Sequence, residues 1–163
     1  MTKKPIVYVD LDGTLSPSDV LLESCLLLLK KNIFYVFPML WWALQGGWVF
    51  KTQVARRIDP VLDFLPIDAT VLERLNQLKS AGHVLVLASA SVYRDVQKVA
   101  ARLGLFDRII ASQDSNLKGL RKLQAIQADS HGQPFVYFGD SVVDIPVWKQ
   151  AAVAFGVNTS AGT

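Results

Sequence analysis

The chain has 163 residues, enough for one domain with a modest insertion. Apolar residues make up 51% of it and charged residues only 19%, a balance that excludes a disordered chain. The net charge of +3 is too small to indicate a nucleic-acid partner, and the single cysteine excludes both an internal disulfide and a cysteine-based zinc site.

The first predicted element is a buried strand at Ile6–Val9, a β-branched and aromatic run that ends at an aspartate. Four apolar residues are too few for the core of a signal peptide. After a glycine-containing turn, Ser18 or Asp19 is placed to cap a helix that begins near Val20. From there to about Ile58 the pattern is helical, unusually apolar and without a strand signal.

Beyond residue 68, apolar strands alternate with helices. The predicted strands are Val84–Ala88, Arg108–Ala111, Phe135–Phe138 and Val153–Val157, and the predicted helices are Ala69–Ala81, Val92–Leu103, Leu117–Ala128 and Ile145–Ala151. This alternation predicts an α/β fold, a Rossmann-like parallel sheet with helices on both faces. Residues 1–15 and 69–163 would form the core domain, and residues 16–68 a helical, strongly hydrophobic insertion after the first strand.

Polar residues follow three of the predicted strands at the edge where function gathers in parallel sheets. They are Asp10 and Asp12 after the first strand, Ser89 after the second, and Asp140, Ser141 and Asp144 after the fourth. Two acids separated by one residue can divide the work, one as a nucleophile and the other as a proton carrier. A third carboxylate completes an oxygen site suited to Mg²⁺, and a hydroxyl with a lysine supplies what a transferring phosphoryl group needs. The pattern predicts phosphoryl transfer.

Four segments resemble, in order, the motifs of the haloacid dehalogenase (HAD) superfamily of phosphohydrolases. They are DLDGT at residues 10–14, the apolar strand ending in Ser89, Lys118 in NLKG, and GDSVVD at residues 139–144. The insertion between the first and second motifs is similar to the helical cap of the phosphoserine-phosphatase-like branch. The resemblance implies an enzyme, a Mg²⁺-dependent phosphatase that hydrolyses phosphomonoesters through an aspartyl-phosphate intermediate.

The resemblance also implies roles for individual residues. Asp10 would form the aspartyl-phosphate, and Asp12 would protonate the leaving oxygen and later activate water. Ser89 and the backbone amide of Ala90 would hold phosphate oxygens. Lys118 would neutralise charge on Asp10 and on the phosphate.

For the metal, the resemblance implies that Mg²⁺ is bound by Asp10, the backbone carbonyl of Asp12 and Asp140. Asp144 would be an outer-shell partner, with the alternative that it caps the following helix. Ser91 is expected to cap the helix after the second strand, which leaves phosphate binding to the preceding serine.

The insertion contains an uncharged run of eighteen residues, Ile33–Phe50, which includes three tryptophans. Its length reaches the lower limit for a membrane span, but a single span would separate the first two motifs across the bilayer. A helical hairpin dipping into the membrane interface stays open, as does burial in the insertion's own core or in a protein interface. Tryptophans suit the headgroup zone of a bilayer, and those of the run are Trp41, Trp42 and Trp48. The basic residues that flank it are Lys30, Lys31, Lys51, Arg56 and Arg57.

A narrower resemblance favours a lipid substrate. VDLDGTL, LLESCLLLLKKN, QVARRI, NLKG and GDSVVDIPVW look like the phosphatase domain that precedes UbiA-type intramembrane prenyltransferases. It implies a phosphorylated prenyl lipid or lipid-linked phosphosugar as substrate, a fused or partner prenyltransferase, and a place on the cytoplasmic side of a membrane. Glu23 and Arg56 could contact the substrate or equally be surface charges. The alternatives are a soluble small-molecule phosphatase of the phosphoserine type and a non-catalytic lipid- or partner-docking domain.

Overall fold

A five-stranded, fully parallel sheet forms the centre of the computed structural model, which describes residues 4–58 and 65–158. Its strands are β1 (Ile6–Val9), β2 (Leu85–Val92), β3 (Arg108–Ser112), β4 (Phe135–Gly139) and β5 (Val153–Gly156). They lie in the order β3-β2-β1-β4-β5, so the strand that precedes the first motif is central. The predicted α/β fold with a parallel sheet is confirmed.

Helices cover both faces of the sheet because side chains alternate along each strand. In β1, Val7 and Val9 join the core on one face, and Ile6 and Tyr8 join the core on the other. Helices α4 (Ala69–Ser80) and α5 (Tyr93–Leu103) pack on the first face, and α6 (Leu120–Ser130) and α7 (Ile145–Trp148) pack on the second. Burial on both faces explains why the strands are continuously apolar in sequence.

The apolar region after β1 folds into three helices, called here the helical insertion and described over residues 20–58. They are α1 (Val20–Lys31), α2 (Val36–Leu44) and α3 (Gly47–Arg57), with a 3-10 turn at Ile33–Tyr35 before α2. Asp19 caps α1 by accepting hydrogen bonds from two backbone amides, as one of the two predictions had it. The predicted end of the insertion includes residues 59–64, which lie outside the described residues, as do residues 1–3 and 159–163.

The helical insertion has a small core of its own, in which Leu28, Trp42 and Val54 from the three helices meet. That core accommodates only part of its apolar surface, since Phe37 is 67% exposed and Trp41 is 63% exposed. Among the described residues, no helix has both the length and the apolar character required to cross a bilayer.

Strand β2 differs from its prediction because it continues to Val92, four residues further than expected. Its last residues pair with β3 across an irregularity in register between Ser89 and Val92. Helix α5 therefore begins at Tyr93 without a side-chain cap, and the prediction that Ser91 caps it is wrong. The extension carries both serines to the edge of the sheet where the aspartates lie.

Candidate active site

A cavity of about 190 Å³ lies at the carboxyl ends of the strands. Its charged lining residues are Asp10, Asp12, Asp19, Asp140, Asp144, Lys51, Lys118 and Lys122. All four predicted site elements therefore meet at one place: the acids after β1, the segment at the end of β2, Lys118 of the NLKG motif and the acids after β4.

Asp10 extends β1 into the floor of this cavity, and its carboxylate has two fixed partners. One oxygen, Oδ1, accepts a hydrogen bond of 2.8 Å from the backbone amide of Leu11. The other, Oδ2, lies 3.1 Å from Nζ of Lys122. Burial raises the pKa of Asp10 to about 7, although the nearby ammonium group favours its ionised form. The site thus holds a buried carboxylate in direct contact with the ammonium group of Lys122.

Asp12 is oriented by the insertion and by β2 together. Its Oδ1 accepts a hydrogen bond of 2.9 Å from the amide of Val20, the first residue of α1. Its Oδ2 accepts one of 2.6 Å from the hydroxyl of Ser91. Burial raises the pKa of Asp12, while both hydrogen bonds oppose the change. A carboxyl group with a raised pKa, held by two donors, is well suited to carry a proton.

Three carboxylates in the cavity fit a divalent cation. Oxygen atoms of Asp10, Asp140 and Asp144 lie within 4.8 Å of one another. Oδ2 of Asp144 is buried and has no hydrogen-bond partner among the described residues, so a cation would satisfy it. Hard carboxylate oxygens are the ligands that Mg²⁺ prefers. The helix-cap alternative for Asp144 is wrong, because its side chain makes no cap bond.

Lys122 is the charged residue that sequence reasoning missed. It is 3% exposed, and its Nζ lies 3.1 Å from both Asp10 Oδ2 and Asp144 Oδ1. Burial disfavours the ammonium form, but the two carboxylates raise the pKa of Lys122 above its usual value. Lys118, which was predicted to neutralise Asp10, is exposed at the cavity wall, in the loop before α6.

A sequence signal for Lys122 did exist. It lies four residues before Ile126 and eight before Ser130, and all three are buried on one face of α6. A lysine on the buried stripe of an amphipathic helix is uncommon unless it is paired with an acid.

The two serines of β2 occupy different depths. Ser89 is fully buried, and its hydroxyl accepts a hydrogen bond of 3.0 Å from the amide of Ser91. Ala90 and Ser91 line the cavity, and the Ser91 hydroxyl makes the shorter contact with Asp12. Sequence reasoning selected Ser89 and assigned Ser91 a capping role, so it missed this contact.

The helical insertion enters the cavity through a residue that sequence reasoning had placed on its flank. Nζ of Lys51, on α3, donates to the carbonyl of Ala90 at 3.0 Å and lies 3.4 Å from Oδ1 of Asn116. Burial, followed by the positive charge of Lys118, lowers the pKa of Lys51.

The two residues that sequence reasoning named for substrate contact do not line the cavity. Glu23 accepts a hydrogen bond of 2.5 Å from Ser18. Arg56 is exposed.

Gly13 is required by its backbone conformation and by its neighbour. Its φ is +81°, and a Cβ at this position would lie 2.6 Å from Cγ of Asp140. We expect Gly13→Ala to cost about 1 kcal/mol in backbone strain and to weaken Mg²⁺ binding at least about tenfold by displacing that carboxylate. Calorimetric titration with Mg²⁺ measures the effect. Gly104→Ala is the matched control, because Gly104 has a φ of +61° with open space around it. Equal Mg²⁺ affinity in the two variants would contradict the prediction.

Comparison with known sequences identifies one family and one long relative. The model of the haloacid dehalogenase-like hydrolase family matches residues 7–149. An uncharacterized protein of Sinorhizobium fredii (strain NBRC 101917 / NGR234), y4nM, is 33% identical over 161 residues, which cover 93% of this chain. The chain spans only 29% of the length of that curated relative.

Comparison with solved structures finds the same fold at low sequence identity. A protein of unknown function from Bordetella pertussis Tohama I has a TM-score of 0.74 at 14% identity, over 99% of this chain and 93% of that one. The HAD family hydrolase t0658 from Salmonella enterica serovar Typhi has a TM-score of 0.74 at 15% identity, over 98% and 64%. A substrate-bound phosphoserine phosphatase has a TM-score of 0.65 at 17% identity, over 99% and 89%.

Proposed function

The chain belongs to the haloacid dehalogenase-like hydrolase family, and from this membership we propose that it is a phosphatase that hydrolyses phosphomonoesters through Asp10. The observation that carries the proposal is the surroundings of this carboxylate. It is buried, it is held beside the ammonium group of Lys122, and two further acids lie close enough to share a cation with it. That combination suits a nucleophile that attacks an anionic phosphoryl group.

The proposed reaction has two half-reactions. In the first, the Asp10 carboxylate attacks phosphorus, the bond to the ester oxygen breaks, and Asp12 donates its proton to that leaving oxygen. In the second, the ionised Asp12 takes a proton from a water molecule that attacks phosphorus, and the bond to Asp10 breaks to release inorganic phosphate. The hydrogen bonds from Ser91 and the Val20 amide keep Asp12 oriented through both.

We propose that Asp10, Asp140 and the backbone carbonyl of Asp12 hold Mg²⁺, with Asp144 beside them. When bound, Mg²⁺ neutralises charge on the phosphoryl oxygens. The support is the cluster of carboxylate oxygens and the unsatisfied oxygen of Asp144. Ser89 and the amide of Ala90 remain the proposed phosphate-binding groups, because Ala90 lines the cavity and the Ser89 hydroxyl lies 3.4 Å from Oδ2 of Asp12.

For charge neutralisation we propose Lys122 at the nucleophile and Lys118 at the outer phosphate oxygens. The first contacts Asp10 directly and the second lines the cavity. For substrate contact from the insertion we propose Lys51 in place of Glu23 or Arg56, since only its side chain lies in the cavity wall.

The finer proposal is a phosphorylated prenyl lipid or lipid-linked phosphosugar as substrate, hydrolysed at the cytoplasmic side of a membrane that the enzyme contacts within Ile33–Phe50. Its support is the insertion, in which α3 lines the cavity through Lys51 and also packs against the exposed, apolar α2. A fused or associated prenyltransferase is proposed from the sequence resemblance. The competing substrates are small soluble phosphomonoesters such as phosphoserine, and the non-catalytic competitor is a docking domain.

Phosphate release from a panel of esters tests these proposals. The panel contains phosphoserine, a sugar phosphate and a short-chain prenyl phosphate, each with Mg²⁺ and with EDTA. We expect EDTA to lower turnover at least about a hundredfold, added Mg²⁺ to restore it, and the prenyl phosphate to be hydrolysed fastest. A preference for phosphoserine would overturn the lipid proposal alone, whereas the absence of turnover on the panel would favour the docking domain.

A further inference from the structure

The outer side of α2 and of the turn before it forms a continuous apolar face. Its members are adjacent pairs and single residues that recur every three or four positions, so they lie on one side of a helix. They are Ile33, Phe34, Phe37, Leu40, Trp41 and Leu44, and each is more than half exposed. The opposite side of the same segment, with Tyr35, Met39 and Trp42, packs on the insertion's own core. A helix that is apolar on all sides is normally buried on all sides, and this one is buried on one side only.

The charges around this apolar face are almost all positive. Between residues 20 and 58 the sequence has five basic residues and one acid, Glu23. Lys30 and Lys31 are exposed at the end of α1, directly before the face begins. At the end of α3, the guanidinium of Arg57 lies 4.3 Å from the ring centre of Trp42, and Trp42 is the sequence neighbour of exposed Trp41.

We propose that the apolar face docks on the surface of a bilayer that contains anionic lipids. The inference rests on the proposed membrane-surface function and names the side chains and the lipid charge that would carry it. Charge complementarity favours lipid over a second copy of this chain, because a symmetric dimer through this face would bring two basic rims together. With nine residues, α2 is about 13 Å long, so it would lie in the interface with its outer side among the acyl chains instead of spanning.

Flotation with vesicles tests the docking surface without requiring turnover. The probes are vesicles of phosphatidylcholine alone and of phosphatidylcholine mixed with phosphatidylglycerol. We expect the wild type to float with the anionic vesicles, and Phe37→Ser/Trp41→Ser to lower the bound fraction at least about tenfold. Leu120→Ser is the matched control, because Leu120 is 66% exposed but belongs to α6 of the core domain. It should float like the wild type.

Two further variants test the electrostatic contribution to binding and the buried side of α2. Lys30→Gln/Lys31→Gln should weaken flotation with anionic vesicles and remove much of its dependence on salt. Trp42→Ser should instead lower the thermal unfolding temperature, since Trp42 is 7% exposed and belongs to the insertion's core.

Three outcomes would overturn the inference: a wild type that stays with neither kind of vesicle, equal losses from the Leu120 and Phe37/Trp41 variants, and a dimer in sedimentation that the Phe37/Trp41 variant dissociates. Phosphate release from p-nitrophenyl phosphate is measured separately on each protein. A wild type that floats but releases no phosphate supports the docking surface and contradicts the phosphatase proposal. A wild type that releases phosphate but does not float contradicts the docking surface and leaves the phosphatase proposal standing.

Discussion

Asp10→Asn is expected to abolish phosphate release, with a fall in kcat of at least about a thousandfold, because an amide cannot form the acyl phosphate. The substitution keeps the size of the side chain, and its oxygen can still accept the hydrogen bond from Leu11. Burial raises the pKa of the native carboxyl, so its ionised form costs free energy of folding at neutral pH and a neutral amide removes that cost. The variant also removes one of the two carboxylates beside buried Lys122, but Asp144 stays 3.1 Å from its Nζ, so we expect a folded protein that loses less stability than Lys122→Met.

The control for this variant is Asp114→Asn, which makes the same chemical change at an exposed loop position. It should retain wild-type turnover. Phosphate release by a folded Asp10→Asn protein, measured under single-turnover conditions to exclude traces of wild type, would rule out Asp10 as the nucleophile. Loss of activity together with loss of the folded state, seen by circular dichroism, would contradict the expected stability.

Lys122→Met should lower kcat/KM by about a hundredfold or more, because it removes the ammonium group between Asp10 and Asp144. Lys118→Met should cost less than about tenfold, chiefly in KM, since Lys118 is exposed at the cavity wall. The steady-state kinetics of the two variants on one ester decide between the contact in the structure and the assignment made from the NLKG motif.

Removing a partner from a buried ion pair also costs stability, typically about 3–5 kcal/mol. Lys122→Met should therefore unfold at a clearly lower temperature than Lys118→Met, and Asp144→Asn added to it should restore part of the loss. A large kcat effect from Lys118→Met with little from Lys122→Met would return the role to the motif lysine. If Lys122→Met does not fold, the Lys118→Met kinetics still decide, because the motif assignment requires a large loss there.

The α/β architecture was predictable because the strands carry their own signal. Buried parallel strands have short, continuous apolar sequences. Strands β2 to β5 each begin within one residue of the predicted position, although their last residues differ from the prediction. The remaining one, β1, was predicted with its observed bounds at Ile6–Val9. The beginning of α6 was predicted at Leu117, but the helix starts at Leu120 because Lys118 and Gly119 remain in the loop.

The acids of the site were predictable for a related reason. Parallel strands place their carboxyl ends at one edge, so Asp10, Asp12, Asp140 and Asp144 had to lie near each other once the strands were identified. Chain order and local pattern were enough, together with the resemblance of the four motifs, to indicate phosphoryl transfer with Mg²⁺. The local residues also indicated that the insertion has more apolar surface than a small helical unit can bury.

Only the tertiary structure decided which lysine, which serine and which tryptophan does what. Lys118 and Lys122 are four residues apart, the first in the loop before α6 and the second on the helix, and the packing of α6 against the sheet determines that Lys122 points at Asp10. Pairing with β3 extends β2 and brings Ser91 to Asp12, and the packing of three helices buries Trp42 while leaving Trp41 exposed. These three assignments depend on contacts between residues far apart in the chain. Strand burial and the order of the motifs, in contrast, can be predicted from residues that are adjacent in sequence.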